Sequence, residues 1–352
     1  MDNDRQVTTG IGRVMGVDGG RRPTLEKVAS RAGVSRATAS RVVNGSPRVA
    51  PHIRDAVQRA IADLGYVPNQ AARSLVTQRT DSVALVLPES ATRVFSDDLF
   101  FPTITWGVGQ ELEAGGKQLV LMMAGSAASQ ERIERYVTSG HVDGVLLASL
   151  HGADPLPSTL ARLGVPVVCN GRPLGPGDAV PYVDVENESG ARRAVRHLLD
   201  AGRTRIATIA GPQDMIAGVD RLDGYRRELE VADLPAVVAL GDFTRDSGEA
   251  AMCRLLAEEP ALDAVFVASD LMADGALRAL RAAGRRVPDD VAVVGFDDFP
   301  VAQYTDPPLT TVHQPAFEIG RALAAQLLRA LAGEPVEPAL ILPTHLVVRA
   351  SA

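Results

Sequence analysis

The sequence predicts a small all-α head at the N-terminus, followed by a larger α/β body of two lobes built on parallel sheets. Three observations carry this expectation. Residues 24–64 contain three short stretches of helical period, each with its own start signal. From Val83 onward, apolar runs of four to eight residues alternate with longer stretches of helical period. Parallel strands covered by helices on both faces require that alternation. Charge is also divided between the two regions. The chain carries a net charge of −7, yet Arg21 to Thr80 holds eleven Arg and Lys against three acids, a surplus of eight that leaves fifteen net negative charges elsewhere.

At 352 residues the chain is long enough to bury two or three cores. A hydrophobic content of 46% with 22% charged residues excludes a largely disordered protein. No run of about eighteen uncharged apolar residues occurs, and the opening MDNDRQVTTG lacks the apolar stretch of a secretory signal, so a cytoplasmic, nucleoid-associated protein with no membrane partner is expected. Cys169 and Cys253 have no Cys or His neighbour at metal spacing. Both are expected to be free, buried thiols, and neither a metal nor a cofactor is expected.

Along the chain, residues 1–20 are polar and Gly-rich and predict a disordered arm. Thr24 is placed to cap a first helix with Leu25, Val28, Ala29 and Ala32 on one face, and Gly33 ends it. Ser35 is placed to cap a second helix with Thr38, Ala39 and Val42 inward, ending near Asn44 and Gly45. Pro51 suits the first turn of a third helix whose buried stripe is Ile53, Val57, Ala60, Ile61 and Leu64. The domain expectation is thus a head over 21–67, a hinge helix and linker over 68–80, and a body over 81–352. In the body, VALVLP, KQLVLMMA, HVDGVLLAS, VPVVCNG, TRIATIAGP, LDAVFVASD and VAVVGFDD are the expected strands.

The head has the parts of a helix-turn-helix: small Ala29 for close helix packing, Gly33 for a turn needing positive φ, then Val34 and the capping Ser35. Arg36, Ala37, Ser40 and Arg41 should then point outward near the front of the second helix, the end that enters a major groove. An Arg fork pairs with guanine O6 and N7, a contact worth roughly 1–3 kcal/mol of discrimination. The same arginines would also serve as solvated charges or phosphate contacts.

TLEKVASRAGVSRATASRVVNGSPRVAPHIRDAVQRAIADLGYVPNQAARSL closely resembles the headpiece of the LacI/GalR family of transcription regulators, in spacing, turn, third helix and hinge. The resemblance implies a homodimer on a pseudo-palindromic operator in double-stranded DNA. It places Arg36, Ala37 and Arg41 on base-reading positions. Thr24, Ser35, Thr38, Ser40, Asn44, Tyr66 and Asn69 complete the DNA-facing set. It further implies that the segment from Asn69 to Val76 becomes helical on operator and drives Leu75 into the minor groove, where unstacking costs a few kcal/mol and is offset by contacts to the bent duplex. Ala39 replaces the more usual Val.

Catalytic patterns are missing from the body. There is no GxSxG, Walker-type loop or HExxH, and the glycines near Gly10 and Gly107 do not complete a dinucleotide fingerprint. A two-lobed α/β body instead closes a cleft on a ligand at the C-terminal ends of its strands. Asp270 follows the run AVFVAS and would accept ligand hydroxyls or cap the next helix. Arg221 would offer a fork of donors to ligand or form a structural ion pair. Phe243, Phe100 and Phe101 would stack on a ring or belong to the core.

The segment ASDLMADGALRALRAAGRRVPDDVAVVGFDDFPVAQYTDPPLTTVHQP also resembles the family, and implies a body of the periplasmic-binding-protein-like (type I) fold. By that resemblance Asp270, Arg221, Phe243, Phe100 and Phe101 contact an effector. Where the family's purine-responding member carries Arg and Thr, this chain has Met215 and Ala217, so a carbohydrate is the expected effector class. The first lobe is expected over about 81–183 and 309–335, the second over about 184–308 and 336–352. With no leucine heptads after LVVRASA, a dimer is expected rather than a tetramer. A periplasmic-type solute-binding protein would share such a body, but the basic head and the missing export signal oppose it. A family regulator controlled by a protein partner is the other alternative.

Overall fold

A computed structural model of the chain describes residues 23–67, 79–174 and 180–352. It divides into two units, one ending at Gln78 and one beginning at Arg79. The expected arm, and residues 68–78 of the expected hinge with Asn69 and Leu75, lie outside the described residues.

In the first unit, α1 (Leu25–Ala32) starts where the Thr24 side chain accepts from Lys27 N–H, and stops at Gly33 with φ 66°. Helix α2 (Arg36–Val43) is capped by Ser35, whose hydroxyl accepts from Thr38 N–H at 3.1 Å. Helix α3 (Pro51–Leu64) has Pro at its first position and ends at Gly65, φ 58°. Val28, Ala29, Ala39, Val57 and Ala60 are buried together, with Leu25, Val42, Ile61 and Tyr66 packed around them. Thr38 is only half-buried, its hydroxyl turned to Ser35.

The second unit holds two six-stranded sheets. The first contains β1 (Ser82–Leu87), β2 (Gln118–Met123), β3 (Gly144–Leu147), β4 (Val167–Asn170), β5 (Tyr182–Val185) and β11 (Ala339–Leu342), in the order β11-β5-β4-β3-β1-β2 and parallel throughout. The second contains β6 (Ile206–Ala210), β7 (Val237–Leu240), β8 (Ala264–Val267), β9 (Ala292–Asp297), β10 (Thr310–His313) and β12 (His345–Val347), in the order β12-β10-β9-β8-β6-β7. Only β12 runs antiparallel to its neighbour. Six of the seven expected runs form inner strands that are largely buried and apolar, whereas KQLVLMMA forms the edge strand β2, which is only half-buried.

Each sheet separates two apolar clusters. On one face of the first sheet, α5 (Phe100–Ala114) crosses α13 (Ala316–Ala332), and glycines let the backbones touch. A Cβ at Gly107 would lie 2.1 Å from Phe317 O, and one at Gly320 would lie 2.3 Å from Ile104 O. The glycine near position 107 that fails as a nucleotide fingerprint is therefore a packing residue.

The chain passes between lobes after β5, between His313 and Ala316, and between Leu342 and His345. The last two crossings fall a few residues later than the expected 309 and 336. Residues 310–313 first pair with β9 in the second lobe, and residues 339–342 pair with β5 in the first, before the chain leaves each sheet. A second correction concerns the thiols. Cys169 is buried, and burial pushes its pKa up to about 12, but Cys253 is exposed.

Candidate functional site

On the head, α2 presents Arg36, Ala37 and Arg41 as an exposed face, because Ala39 between them points into the core. Arg36 Nε lies 2.7 Å from Glu26 Oε1, with both side chains largely in solvent. An exposed pair of this kind holds the guanidinium weakly and is readily exchanged for another acceptor. Arg41 has no side-chain partner among the described residues. Ser40, expected to point outward, is half-buried and accepts from Asn44 Nδ2 at 3.3 Å. Tyr66 packs its ring against the head's core.

On the body, the C-terminal ends of the strands of both sheets line a cleft enclosing about 1080 Å³ of empty space, its mouth included. Phe100, Phe101, Arg221 and Phe243 all line it. Phe101 is nearly buried and meets the Phe100 ring edge-on at 5.7 Å. Phe243 has φ 67° and packs over Gly211, where a Cβ would lie 2.4 Å from the ring. Other apolar contributors include Leu150, Ile216, Leu271 and Phe299.

Arg221 projects from α9 (Ile216–Val231) and is 4% exposed. Its guanidinium stacks on the Phe296 ring at 3.7 Å from the centroid. Nε donates to Asn187 Oδ1 at 2.9 Å, and Nη1 donates to Ala268 O at 2.7 Å and to Asp297 Oδ1 at 3.2 Å. Every one of these partners is fixed by a strand end or a helix start, so the fork is pre-set rather than searching. The structural ion pair open to Arg221 in the sequence is formed, and the same side chain lines the cleft.

Asp270 does not reach the cleft. It is fully buried at the first position of α11 (Asp270–Ala282), while the preceding Ser269 caps that helix. Its oxygens accept from Thr311 Oγ1 at 2.5 Å and from Phe299 N–H at 3.1 Å. Burial, reinforced by the negative charge of Asp297, drives its pKa well above the ordinary carboxylate range. Four other carboxylates line the cleft in its place, Asp97, Asp98, Asp184 and Asp297. Asp297 ends β9 with φ 118°, and Asp184 lies within β5. Burial raises Asp297 to about 7 against the opposing pull of Arg221, and raises Asp184 to about 6. Asp98 is raised as well, again by burial.

Near neutral pH the cleft thus offers carboxyl groups poised between proton donor and acceptor, one guanidinium fork and several aromatic faces. Paired acceptors beside ring-sized apolar surfaces are what a polyhydroxylated ring binds. Asp297 holds a backbone conformation that costs of order 1–3 kcal/mol, a strain that persists where surrounding contacts over-determine it. Among the described residues no group of three or more His, Cys, Asp or Glu is arranged to hold a metal ion, and no helix is long and apolar enough to cross a membrane.

Comparison with known proteins matches residues 24–69 to the family described as "Bacterial regulatory proteins, lacI family", and residues 195–352 to "Periplasmic binding protein-like domain". Among curated relatives, the HTH-type transcriptional regulator CelR of Thermobifida fusca is 55% identical over 336 residues, covering 94% of this chain and 98% of that protein. Among solved structures, a CelR–cellobiose complex shares 52% identity with a TM-score of 0.75, covering 94% of this chain and all of the other. The lac repressor dimer bound to operator and an anti-inducer shares 28% identity with a TM-score of 0.81, over 94% of this chain and 99% of that one.

Proposed function

The chain belongs to the LacI family of bacterial regulatory proteins, and from that premise we propose that it is a cytoplasmic dimeric repressor released from its operator by a β-linked glucose disaccharide. It is a DNA-binding transcription regulator. The α2 face of Arg36, Ala37 and Arg41 reads bases, with Thr24, Ser35, Thr38, Ser40, Asn44, Tyr66, Asn69 and Leu75 completing the contact to duplex.

The effector reading is carried by one observation: a cleft lined by Asp184, Asp297, Arg221 and Phe243, in a chain 52% identical over nearly its whole length to a regulator solved with cellobiose. Carboxylates accept pairs of sugar hydroxyls, Arg221 donates to a ring or glycosidic oxygen, and Phe243 and Phe100 supply apolar faces. Asp270 acts from behind the wall, fixing the Phe299 backbone and Thr311 of β10. The reading assigns no catalysis to the cleft. A built cleft with convergent polar groups favours a small-molecule signal over control by a protein partner.

Calorimetric titration of the full chain tests this. Cellobiose should give a saturable heat with one site per protomer, and maltose, its α-linked counterpart, a far weaker one. Equal heats from both sugars, or none from cellobiose, would overturn the assignment.

A further inference from the structure

His151 stands on the loop after β3, in the first lobe, and reaches across to the second. Its Nδ1 lies 2.9 Å from Asp214 Oδ2, on the loop between β6 and α9. Its Nε2 lies 3.2 Å from Glu89 Oε1, a largely buried first-lobe carboxylate. Gly152 N–H donates to Asp214 O at 2.6 Å, so the same loop is tied twice to the second lobe. Glu89 is held in place by Ser149 Oγ–H at 2.7 Å and by Arg93 Nε at 3.3 Å. Arg93 and Ser149 also line the cleft.

A neutral imidazole has one N–H and can donate to only one of two carboxylates, leaving its lone pair against the other. The protonated ring donates to both. We infer that His151 is a clasp between the lobes, its protonated ring holding the cleft closed and making closure, and with it effector affinity, dependent on pH. Only the affinity arm rests on the cleft being the effector site.

The electrostatic surroundings agree with the geometry. His151 is raised to about 9, first by its hydrogen bond to Glu89, against the opposing effect of burial, then by Asp214. Burial pushes Glu89 upward, but the hydrogen bonds from His151 and Ser149 and the charge of Arg93 outweigh it and hold this carboxylate below its ordinary range. The charged groups facing the cluster are Glu89 and Arg93 from the segment after β1, Asp98 further along it, and Asp214 from the second lobe. On His151's own loop, Asp154 is turned to Leu156 N–H.

The other described ion pairs between lobes join guanidinium to carboxylate: Arg245 to Asp97 at 2.7 Å and Arg172 to Asp220 at 3.2 Å. Among the described residues, the His151 contact alone joins the lobes through an imidazole.

The sign follows from what moves. On opening, Glu89 stays with His151 and Asp214 departs, so the closed state binds the proton more tightly. Closure is fully supported below the ordinary imidazole value of 6.5 and is lost as pH rises through about 9. Because His151 is partly exposed and only the Asp214 share belongs to closure, the closed-to-open ratio should fall about fivefold, well short of what the whole shift implies.

The test uses the full chain with Cys253→Ser and spin labels at Glu134→Cys and Arg226→Cys, one exposed position on each lobe. Inter-lobe distances measured from pH 7 to pH 10 should shift from the closed to the open population, with a midpoint near 9. In His151→Gln, which cannot hold the charge, the profile should be flat. An unchanged wild-type distribution across that range, or the same midpoint in His151→Gln, overturns the clasp. In parallel, cellobiose affinity should weaken about fivefold from pH 7 to pH 10 in wild type and stay level in the variant. If cellobiose fails to bind at any pH, the effector reading falls, while the distance measurement still decides the clasp.

Discussion

Replacing Arg221 with Ala removes a guanidinium that is 4% exposed, stacked on Phe296 and bonded to Asn187, Ala268 O and Asp297. Breaking a buried pair by deleting one partner typically costs about 3–5 kcal/mol, since the remaining charge has no compensation. Here part of that cost is avoidable. Asp297 already sits near 7 and is mostly protonated at pH 6 even beside Arg221, and without Arg221 it would rise further, so little charge is stranded at pH 6. The loss should therefore depend on pH, at about 2 kcal/mol near pH 6 and about 4 kcal/mol at pH 8. For a body of this length a loss of about 4 kcal/mol lowers the melting temperature by roughly 10 °C. Thermal unfolding of the full chain at both pH values provides the assay. Adding Asp297→Asn should recover about half of the pH 8 loss, because it removes the stranded charge but not the other two lost bonds. A melting temperature within about 2 °C of wild type at pH 8, or no recovery in the double variant, would show that the Arg221–Asp297 pair does not organise the cleft.

Three further outcomes are expected. Asp184 is raised to about 6 by burial, so its neutral form supports the fold fully below the ordinary carboxylate value and that support is lost as pH rises through 6; Asp184→Asn should stabilise the ligand-free protein by about 1–2 kcal/mol at pH 8 and leave it unchanged at pH 4, as read by urea unfolding. Ser35→Ala deletes the acceptor for Thr38 N–H and should cost the head about 1 kcal/mol, seen as faster amide exchange through α2 with the body's exchange unaltered. Arg41→Ala should relax guanine preference at one position in each half-site by about 1–3 kcal/mol in a selection from random duplexes, whereas uniform weakening at all sequences would assign Arg41 to phosphate instead.

Legibility in the sequence followed the physics of each region. The head was readable because its signals are local: Thr24, Ser35 and Pro51 start helices and Gly33 ends one, and the structure uses each in that way. Central strands were readable because burial on both faces leaves an unbroken apolar run, as in β8 and β9. Five strands were not named: β7, β11 and β12 are half-exposed edge strands, and β5 and β10 are short and interrupt their apolar residues with polar ones. That omission displaced two lobe crossings by a few residues.

Within the cleft, Arg221, Phe243, Phe100 and Phe101 come together as the sequence and its family resemblance implied. Asp270 does not. A carboxylate after an apolar run has a direction only once its neighbours are known. Here the missing side chain of Gly295 leaves room for Asp270 Oδ1, where a Cβ would come within 2.4 Å, and Thr311 and the Phe299 amide occupy its oxygens. Asp297 carried a readable signal, as the acid ending the run VAVVGFD, the same position after a strand that drew attention to Asp270. Asp184 lies inside the unrecognised β5, and the partnership of His151 with Glu89 and Asp214 joins residues more than sixty positions apart in sequence. No local pattern announces such contacts.

The central claim is that one protein couples a sugar in the body to base reading by the head. Fluorescence anisotropy of the full chain against a duplex selected from a random pool, with and without saturating cellobiose, tests it most directly. The account predicts that the sugar weakens binding to that duplex by roughly 5- to 150-fold while binding to an unselected duplex stays low in both conditions. Identical titrations in the presence and absence of sugar, in a protein whose calorimetry shows the sugar bound, would contradict it.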